Sequence, residues 1–473
     1  MKLCPRLAWK PGLTPRQWSW ILGSAALGLV ACGLGKPCQA QTYTAVEREQ
    51  AEAMLRDVAD DVKKHYFDPL ALGSDWDARV RATREKVDKA DSINHALSHI
   101  AALLDSLNDS HTFFIPPPRP YRNDYGFQMQ MMGDRCFVTR VRPGSDAEAK
   151  GLKPGEEVAT VDGYAPTRED MWRMKYLFWI LEPQPNLRLV VRAPTGEKRL
   201  LDVRSNFRQF PPEAIKDPTG SAMFDELRDL ENQQDSRRPL YAERGNGLFG
   251  NDLLIVKLPE FALSASGADA VLEKMQRHNA VVLDLRGNPG GDEETLRSLL
   301  GGMFEGKVKI GDAVSGRSTT AIETAPHRHA FTGKLVVLID SQSGSAAELF
   351  ARVIQLEKRG LVMGDRSAGR VMAAQRYMNQ TGMESRIVYG AIISEAEIRM
   401  ADGQTLEHQG VIPDKIILPA AEDIASSRDP VLAAAARSLN AQLSPEEAGA
   451  LFPYQWPKNE WGERTNEAER MGH

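Results

Sequence analysis

The chain has 473 residues, of which 42% are hydrophobic and 26% charged, a composition typical of a globular protein with a large core. The length allows two or three domains. The formal net charge of −5 argues against a nucleic-acid-binding protein, which would carry an excess of lysine and arginine.

Residues 1–41 are predicted to be an export signal. A basic start that reaches to Arg16 is followed by the apolar run ILGSAALGLVACGLG and by Cys38-Gln39-Ala40, a small-x-small cleavage pattern. The apolar run is shorter than the about 20 residues of a membrane span. Removal of this leader would change the net charge from −5 to −10, because it holds five basic side chains and no acidic one.

The alternative for the leader is a lipoprotein signal that ends at residue 31. Leu29-Val30-Ala31-Cys32 resembles the lipobox of bacterial lipoproteins, and a lipidated Cys32 would attach the protein to a membrane. Both alternatives predict an exported protein in a bacterium, either periplasmic or anchored as a lipoprotein. Cys136 is the one cysteine beyond the leader, so we expect neither an internal disulfide nor a cysteine-based metal site.

Residues 42–120 are predicted to form an N-terminal helical region. Apolar side chains recur at helical spacing from residue 45 to residue 66 and again from residue 92 to residue 107. Ser92 is a suitable N-cap for the second helix. Pro116-Pro117-Pro118 breaks regular structure and marks the end of this region.

Residues 121–205 change to short strand patterns that are separated by turns and two helical stretches. Three segments resemble the middle of a PDZ domain: VRPGS from Val141, AKGLKPG from Ala149 and VDG from Val161. The resemblance implies that Tyr125-Gly126-Phe127 starts a loop that binds the carboxylate of a peptide, which is added to the sheet as a strand. A purely structural β-domain is the alternative.

Residues 206–430 are predicted to form an α/β core, which begins with a polar connection and one helix up to residue 250. Alternating strands and helices predict a mostly parallel sheet that is covered by helices. The final segment, residues 431–473, is predicted to be a helix and a flexible tail. The predicted core strands are apolar runs at residues 253–258, 280–285, 335–339 and 361–363.

Two turns at the carboxyl ends of these strands carry candidate site residues, because open parallel sheets place their sites there. The first turn, DLRGNPGG over Asp284–Gly291, has glycines that expose backbone N–H groups just before a helix from about Glu293. Such a turn can hold an oxyanion. A structural turn between a strand and a helix is the alternative.

In the second turn, Ser345 stands where a helix begins with Ala346-Ala347-Glu348. There a serine hydroxyl is exposed, the N–H of Ala346 is not used by the helix, and the helix dipole favours negative charge, as a nucleophilic serine requires. Serine is also a common N-cap, and Glu348 completes the pattern of a capping box. The local sequence by itself favours the cap.

The order of these motifs resembles the carboxyl-terminal processing proteases of serine peptidase family S41. The resemblance extends over residues 45–420 and includes Asp109-Ser110-His111-Thr112 and the ending from Asp402-Gly403 to Asp414. It implies a ClpP/crotonase-like α/β protease core with an inserted PDZ-like domain and an N-terminal helical region. It also implies a serine endopeptidase that cleaves protein or peptide substrates and needs no metal or organic cofactor, and the leader adds that this peptidase is exported.

Carried over to this sequence, the family pattern implies that Ser345 is the nucleophile and forms an acyl-enzyme. The N–H groups of Ala346 and of Gly290 or Gly291 would then form the oxyanion hole.

Arg370 departs from the family pattern. In the processing proteases a lysine base follows the serine by 25 residues, and Arg370 stands at that position. A lysine can lose its proton when burial lowers its pKa, whereas arginine stays protonated to about pH 12, so a simple Ser-Lys dyad is excluded. The rival hypothesis is a catalytically inactive peptide-binding or scaffold protein in which Arg370 grips a carboxylate.

A tricorn-like branch of the superfamily takes its base from an N-terminal histidine, with further serine and glutamate residues. His111 is the preferred base here, because it lies in a family motif and histidine's pKa of about 6.5 suits proton transfer. His65 is the second candidate. Glu407 and His408 are candidates to orient or replace the base, and a structural role is the alternative for each of these residues.

Overall fold

The computed structural model describes residues 43–456, apart from residues 74, 120, 210–237, 245–251, 317, 326, 328, 383–385 and 455. The predicted leader, with Cys32, and the helix predicted in the connection up to residue 250 lie outside the described residues. Within the described part of the chain, no helix is long and apolar enough to cross a membrane.

The N-terminal region is helical, as predicted. Its elements are α1 (Ala45–His65), α2 (Pro69–Leu72), α3 (Trp76–Asp88), α4 (Ile93–Asp105) and the short strand β1 (Phe113–Ile115). Ser92 caps α4 as predicted, since its hydroxyl accepts from the N–H of His95 at 3.3 Å. The sequence pattern does not predict α3, because only Trp76, Thr83 and Val87 are buried along its 13 residues.

Residues 121–209 form a β-rich unit. Five of its seven strands make an antiparallel sheet in chain order, with the strand Phe127–Met132 at one edge. The first and last of the seven strands pair with each other in a separate two-stranded sheet. Two short helices, α5 (Asp146–Ala149) and α6 (Met171–Lys175), complete the unit, and a π-helical turn over Tyr176–Leu181 continues α6. The strands are β2 (Tyr121–Asp124), β3 (Phe127–Met132), β4 (Arg135–Val141), β5 (Glu157–Val161), β6 (Asn186–Arg192), β7 (Lys198–Arg204) and β8 (Asn206–Gln209).

The remaining strands build two sheets. They are β9 (Leu240–Arg244), β10 (Leu253–Lys257), β11 (Ala280–Asp284), β12 (Lys309–Val314), β13 (Thr319–Glu323), β14 (Lys334–Ile339), β15 (Leu361–Gly364), β16 (Met372–Thr381), β17 (Ile387–Met400) and β18 (Lys415–Ile416). The helices around them are α7 (Ala265–Gln276), α8 (Glu293–Gly301), α9 (Ala346–Leu356), α10 (Ala421–Ala425), α11 (Pro430–Ser438) and α12 (Pro445–Ala450).

The first of these sheets has six strands in the order β18-β15-β14-β11-β10-β9. All neighbours are parallel except β9, which runs antiparallel to β10. Every residue of β11 is buried, which is expected of a strand covered on both faces. The predicted strands are all present, and the carboxyl ends of β11 and β14 lie side by side because Asp284 is opposite Leu338.

The second sheet is antiparallel, and the sequence patterns do not predict it beside the mostly parallel sheet. It has the order β1-β17-β12-β13, and β16 pairs with β17 as a hairpin. The run Ile387–Met400 alternates between buried and half-exposed side chains over much of its length, so it lacks the continuous apolar pattern from which the parallel strands are predicted.

The C-terminal segment contacts the β-rich unit at Tyr454, within the stretch in which the sequence predicts a flexible tail. The Tyr454 hydroxyl accepts from Gln128 Nε2 at 2.9 Å. The guanidinium carbon of Arg140 lies 4.4 Å from the centroid of the Tyr454 ring. These contacts fix the C-terminal segment on the β-rich unit through one hydrogen bond and a cation–π contact.

An ion network joins the turn after β11 to α11. Arg286 donates to both oxygens of fully buried Asp284, at 2.8 and 2.7 Å, and to both oxygens of Asp429, at 2.9 and 2.7 Å. Asp429 also caps α11 by accepting from the N–H of Leu432 at 2.9 Å. Arg286 and Lys257 hold the pKa of the Asp284 carboxyl far below its usual range despite its burial.

Asp429→Ala is expected to lower the free energy of unfolding by about 2–4 kcal/mol, because it removes charge-assisted hydrogen bonds to Arg286 and the N-cap of α11. Urea denaturation followed by tryptophan fluorescence measures this change. Glu293→Ala is the matched control, since it breaks an exposed ion pair to Arg297 and should cost less than about 1 kcal/mol. Equal losses in the two variants would contradict the account.

Candidate active site

Ser345 occupies a strained turn between β14 and α9. Its backbone has φ 50° and ψ −119°, an unusual conformation for a residue with a side chain. The N–H of Ser345 donates to the carbonyl oxygen of Arg370 at 2.8 Å and to Glu348 Oε2 at 3.0 Å. The Ser345 hydroxyl makes no hydrogen bond that caps α9, and Ser345 is partly exposed. The hydroxyl therefore does not play the capping role that the local sequence favours.

The buried carboxylate of Glu348 holds this turn to the segment that contains Arg370. It accepts from the N–H groups of Ser345, Gly369 and Arg370, at 3.0, 2.7 and 2.8 Å, and from the Ser367 hydroxyl at 2.6 Å. Burial raises the pKa of Glu348 to about 7, and these four donors oppose that rise by favouring the ionised form. Of the two hydrogen bonds of the expected capping box, the one in which Glu348 accepts from the N–H of Ser345 is therefore present.

The glycine-rich turn after β11 lies against Ser345. A Cβ added to Gly290, whose φ is +110°, would lie 2.6 Å from the Ser345 Cβ and 3.0 Å from the Ala346 nitrogen. Buried Asn288 shapes the turn: its Oδ1 accepts from the N–H of Gly290 at 2.8 Å, and its carbonyl accepts from the N–H of Gly344 at 2.9 Å. Only glycine permits this approach of the two turns.

Asn288 also reduces the number of candidate donors for the predicted oxyanion hole. Because the N–H of Gly290 donates to the Asn288 side chain, Gly290 is a poor candidate donor. Among the described residues, the N–H groups of Gly291 and Ala346 have no backbone acceptor. Of the predicted set, these two remain suited to bind an oxyanion beside Ser345.

His111 belongs to a hydrogen-bonded chain that starts at Glu407. Glu407 Oε1 accepts from the N–H of Ser110 at 2.6 Å, and Oε2 lies 2.8 Å from the Ser110 hydroxyl. The same hydroxyl is 2.8 Å from His111 Nδ1. Although part of the His111 surface is accessible, burial of the ring and then the positive charge of Arg370 lower the pKa of His111 to about 4, while Asp109 opposes this shift.

This series of hydrogen bonds connects Glu407 to the serine turn through the backbone of residues 369–371. Glu407 Oε2 also accepts from the N–H of Val371 at 2.8 Å. One residue earlier, the carbonyl of Arg370 accepts from Ser345. The structure thus brings together Ser345, His111, Ser110 and Glu407 around one short segment.

A model of peptidase family S41 matches residues 252–417. The chain contains a peptidase S41 domain. Ser345, Glu348, Arg370, Glu407 and the glycine-rich turn lie inside the matched region, whereas Ser110 and His111 precede it.

Two curated relatives and one solved structure are similar to the chain. A tail-specific protease of Haemophilus influenzae is 25% identical over 278 residues, which is 55% of this chain and 36% of that protein. Carboxyl-terminal-processing peptidase 3 of Arabidopsis thaliana is 22% identical over 354 residues, or 70% of this chain and 62% of that protein. The chain therefore spans less than two thirds of the length of both relatives.

The structure of mature CPAF complexed with lactacystin superposes with a TM-score of 0.60, covering 84% of this chain and 98% of that one at 15% identity. This likeness shows that the two proteins share a fold.

Of the other two candidate bases, His65 has its contacts outside the network around Ser345, whereas His408 lies at the edge of that network. His408 Nε2 is 3.6 Å from Glu407 Oε1, and the backbone N–H of His408 donates to the carbonyl of Gly369 at 2.8 Å. The His65 ring stacks on Tyr377 with ring centroids 4.0 Å apart, and its Nδ1 is 3.9 Å from Glu395. His408 is half exposed, and its Nε2 is 2.9 Å from the carbonyl of Asn108. Both histidines have contacts that explain them structurally.

The predicted carboxylate-binding loop is closed. Tyr125 and Phe127 are 1% and 4% exposed, and the Tyr125 ring packs against Trp179 with centroids 5.1 Å apart. The N–H of Gly126 donates to Asp124 Oδ1 at 2.8 Å, so a carboxylate of the protein itself already occupies it. Peptide binding by these three residues therefore stays a prediction, and the N–H of Gly126 would have to leave Asp124 for it.

The edge strand β3 is instead docked on the serine turn of the S41 domain. Gln130 Nε2 donates to Asp340 Oδ2 at 2.7 Å, and the Ser341 hydroxyl donates to the Met131 carbonyl at 2.5 Å. Asp340 Oδ1 also accepts from the N–H groups of Gly287 and Gln342, at 2.9 and 3.0 Å. Sequence reasoning missed Asp340, although its position at the end of a buried strand beside Ser345 is a visible signal.

Gly290→Ala is expected to lower the rate at which a fluorophosphonate probe labels Ser345 by at least about 100-fold, because the new Cβ displaces the serine and the adjacent N–H groups. Gly196→Ala is the matched control: its φ is +91°, yet no heavy atom lies within 4 Å of the added Cβ. Labelling of Gly290→Ala at the rate of the control would refute the proximity of the two turns.

Proposed function

We propose that this protein is a serine peptidase in which the Ser345 hydroxyl attacks a peptide carbonyl. The observation that carries the proposal is a strained serine turn that is joined, through the backbone of residues 370–371, to a glutamate–serine pair hydrogen-bonded to Nδ1 of His111. The S41 domain and relatives named as proteases support the same conclusion.

The hydrogen bonds of Ser110 define which nitrogen of His111 acts as base. The Ser110 hydroxyl donates its only proton to Glu407, so it accepts from Nδ1–H of His111. That tautomer leaves the lone pair of Nε2 for the proton of Ser345. The positive charge that then forms on the ring is stabilised through Ser110 by Glu407.

The oxyanion of the tetrahedral intermediate is assigned to the N–H groups of Ala346 and Gly291. Ala346 is the first residue of α9, so the helix dipole adds to the attraction of its N–H for negative charge. The protonated His111 next gives its proton to the leaving amine, and water later hydrolyses the acyl-enzyme by the same route.

Arg370 is not a proton acceptor in this mechanism. Burial and then the charge of Arg370 lower the pKa of His111 to about 4, so the imidazole is neutral at neutral pH and keeps a lone pair on one ring nitrogen. A histidine base therefore takes the place of the Ser-Lys dyad that the family pattern implies.

We further propose that the protein is exported and acts on protein or peptide substrates, as the names of the tail-specific and carboxyl-terminal-processing relatives suggest. The export part rests on the sequence of residues 1–41, through a cleaved leader or a lipidated Cys32. The closed loop at Gly126 supports a positioning role for the β-rich unit on the serine turn rather than capture of a substrate terminus.

The function is tested with an unfolded protein substrate and a fluorophosphonate probe. The wild type should cleave the substrate and be labelled, and Ser345→Ala should do neither. Ser266→Ala, which changes an exposed serine of α7, is the matched control and should behave as wild type. Background labelling and no cleavage by the wild type would favour the inactive, peptide-binding alternative.

The rate of labelling should rise as the pH increases through about 4 and stay level above it, because neutral His111 is the base and its pKa is lowered to about 4. An ordinary histidine would place this rise near pH 6.5. Arg370→Gln removes a positive charge, so the pKa of His111 and the midpoint of the rise should move upward. Short incubations from pH 3.5 to 8 measure both midpoints, and a downward shift would contradict the assignment.

A further inference from the structure

A cavity of about 640 Å³ lies between the β-rich unit, the S41 domain and the C-terminal segment. Its lining includes Gly287 of the glycine-rich turn and Asp340 and Gln342 of the serine turn, so the cavity borders both turns of the candidate site. Cavities that bind ligands typically enclose about 300–1,000 Å³. This one is therefore large enough to receive part of an extended peptide chain next to the candidate site.

Three aromatic residues that follow α12 form part of the wall of this cavity. They are Phe452, Tyr454 and Trp456, and we name them the strap. The base of the strap is fixed on the S41 domain, because Phe452 packs against a buried apolar cluster that includes Leu338 of β14. The strap comes after residues 252–417, the region that the S41 family model matches. It therefore lies outside the family pattern.

The tip of the strap contacts the β-rich unit at β3 and at the end of β4. The guanidinium carbon of Arg142 lies 4.6 Å from the centroid of the Trp456 ring, and that of Arg140 lies 4.4 Å from the centroid of the Tyr454 ring. Gln128 Nε2 donates to the Tyr454 hydroxyl at 2.9 Å. The strap therefore joins the S41 domain to the β-rich unit across the cavity.

The two ends of the strap are held with different strength. Its base lies against apolar side chains, whereas Tyr454 and Trp456 at its tip are partly exposed. Cation–π contacts at exposed sites are weak, and a segment with few buried apolar contacts can open locally while the rest of the protein stays folded. The hydrogen bond from Gln130 to Asp340 holds the β-rich unit on the serine turn separately from the strap. Release of the tip would therefore open one side of the cavity without separating the unit from the S41 domain.

We propose that the strap is an autoinhibitory closure of the peptidase. While Tyr454 and Trp456 lie against Arg140 and Arg142, the strap bridges the cavity and keeps extended peptide chains from the serine turn. When the tip is released, such chains enter the cavity and reach Ser345. The proposal rests on the proposed peptidase function, because the strap controls access to Ser345.

The kinetic test compares the wild type with the double variant Tyr454→Ala/Trp456→Ala. Loss of both rings should raise kcat/KM for casein, an unfolded protein, by at least about fivefold, because the tip then has no cation–π contacts. The rate of labelling by a small fluorophosphonate should change by less than about twofold, since the strap does not exclude a small reagent, and this rate also shows that the site has stayed folded. A kcat/KM that does not rise, or that rises only in step with the labelling rate, would overturn the proposal.

Single substitutions separate the cation–π contact from burial of an apolar side chain. Trp456→Phe keeps an aromatic face beside Arg142 and should stay close to the wild type, whereas Trp456→Leu keeps an apolar side chain without that face and should be activated. Arg142→Gln should be activated in the same way. Phe207→Ala is the matched control, because it removes a ring of β8 that is 46% exposed and outside the cavity lining, and it should behave as wild type. Equal kcat/KM values for Trp456→Phe and Trp456→Leu would contradict the proposed closure.

A binding measurement separates this proposal from the peptidase function. In the Ser345→Ala background, fluorescently labelled casein should bind at least about fivefold more tightly by anisotropy when Tyr454→Ala/Trp456→Ala is added. Absence of cleavage by the wild type and by the strap variants, with this gain in affinity present, would reject the peptidase and keep the strap. Equal affinities with and without the two rings would reject the strap.

Discussion

The buried carboxylate of Glu348 is the interaction on which the candidate site depends. It lies one helical turn after Ser345 and gathers three backbone N–H groups and one hydroxyl from two separate segments. These bonds fix the strained backbone of the serine and place Arg370 beside it. Removal of the carboxylate would leave several buried donors without an acceptor, so the strain at Ser345 could not be sustained.

The histidine reaches this centre because the second sheet ties the N-terminal region to the S41 domain. β1 pairs with β17, with Phe113 opposite Ile392. In the loop before β1, Asp109 Oδ1 accepts from the N–H groups of His111 and Thr112 and from the Ser394 hydroxyl. The position of the proposed base is therefore set by a residue of β17, almost 300 positions away in sequence.

The parallel strands and both candidate turns were predictable because fully buried strands give continuous apolar runs that end in glycine- or serine-rich turns. The antiparallel sheet was not predictable, since β16 is largely half exposed and β17 alternates between buried and half-exposed side chains. The pairing of β17 with β1, β12 and β16 is set by tertiary contacts. Likewise, the sequence indicates His111 and Glu407 separately, but only the fold shows that Ser110 joins them. The closed loop at Gly126 depends on an internal carboxylate, Asp124, whose contact the motif does not reveal.

A crystal structure of the protein after reaction with a fluorophosphonate tests the central claim most directly. The account predicts phosphorus bonded to Ser345 Oγ, a phosphoryl oxygen about 3 Å from the nitrogens of Ala346 and Gly291, and His111 Nε2 within hydrogen-bonding distance of the adduct. An unmodified Ser345, or an adduct whose oxygen faces solvent with His111 Nε2 beyond hydrogen-bonding distance of it, would contradict the account.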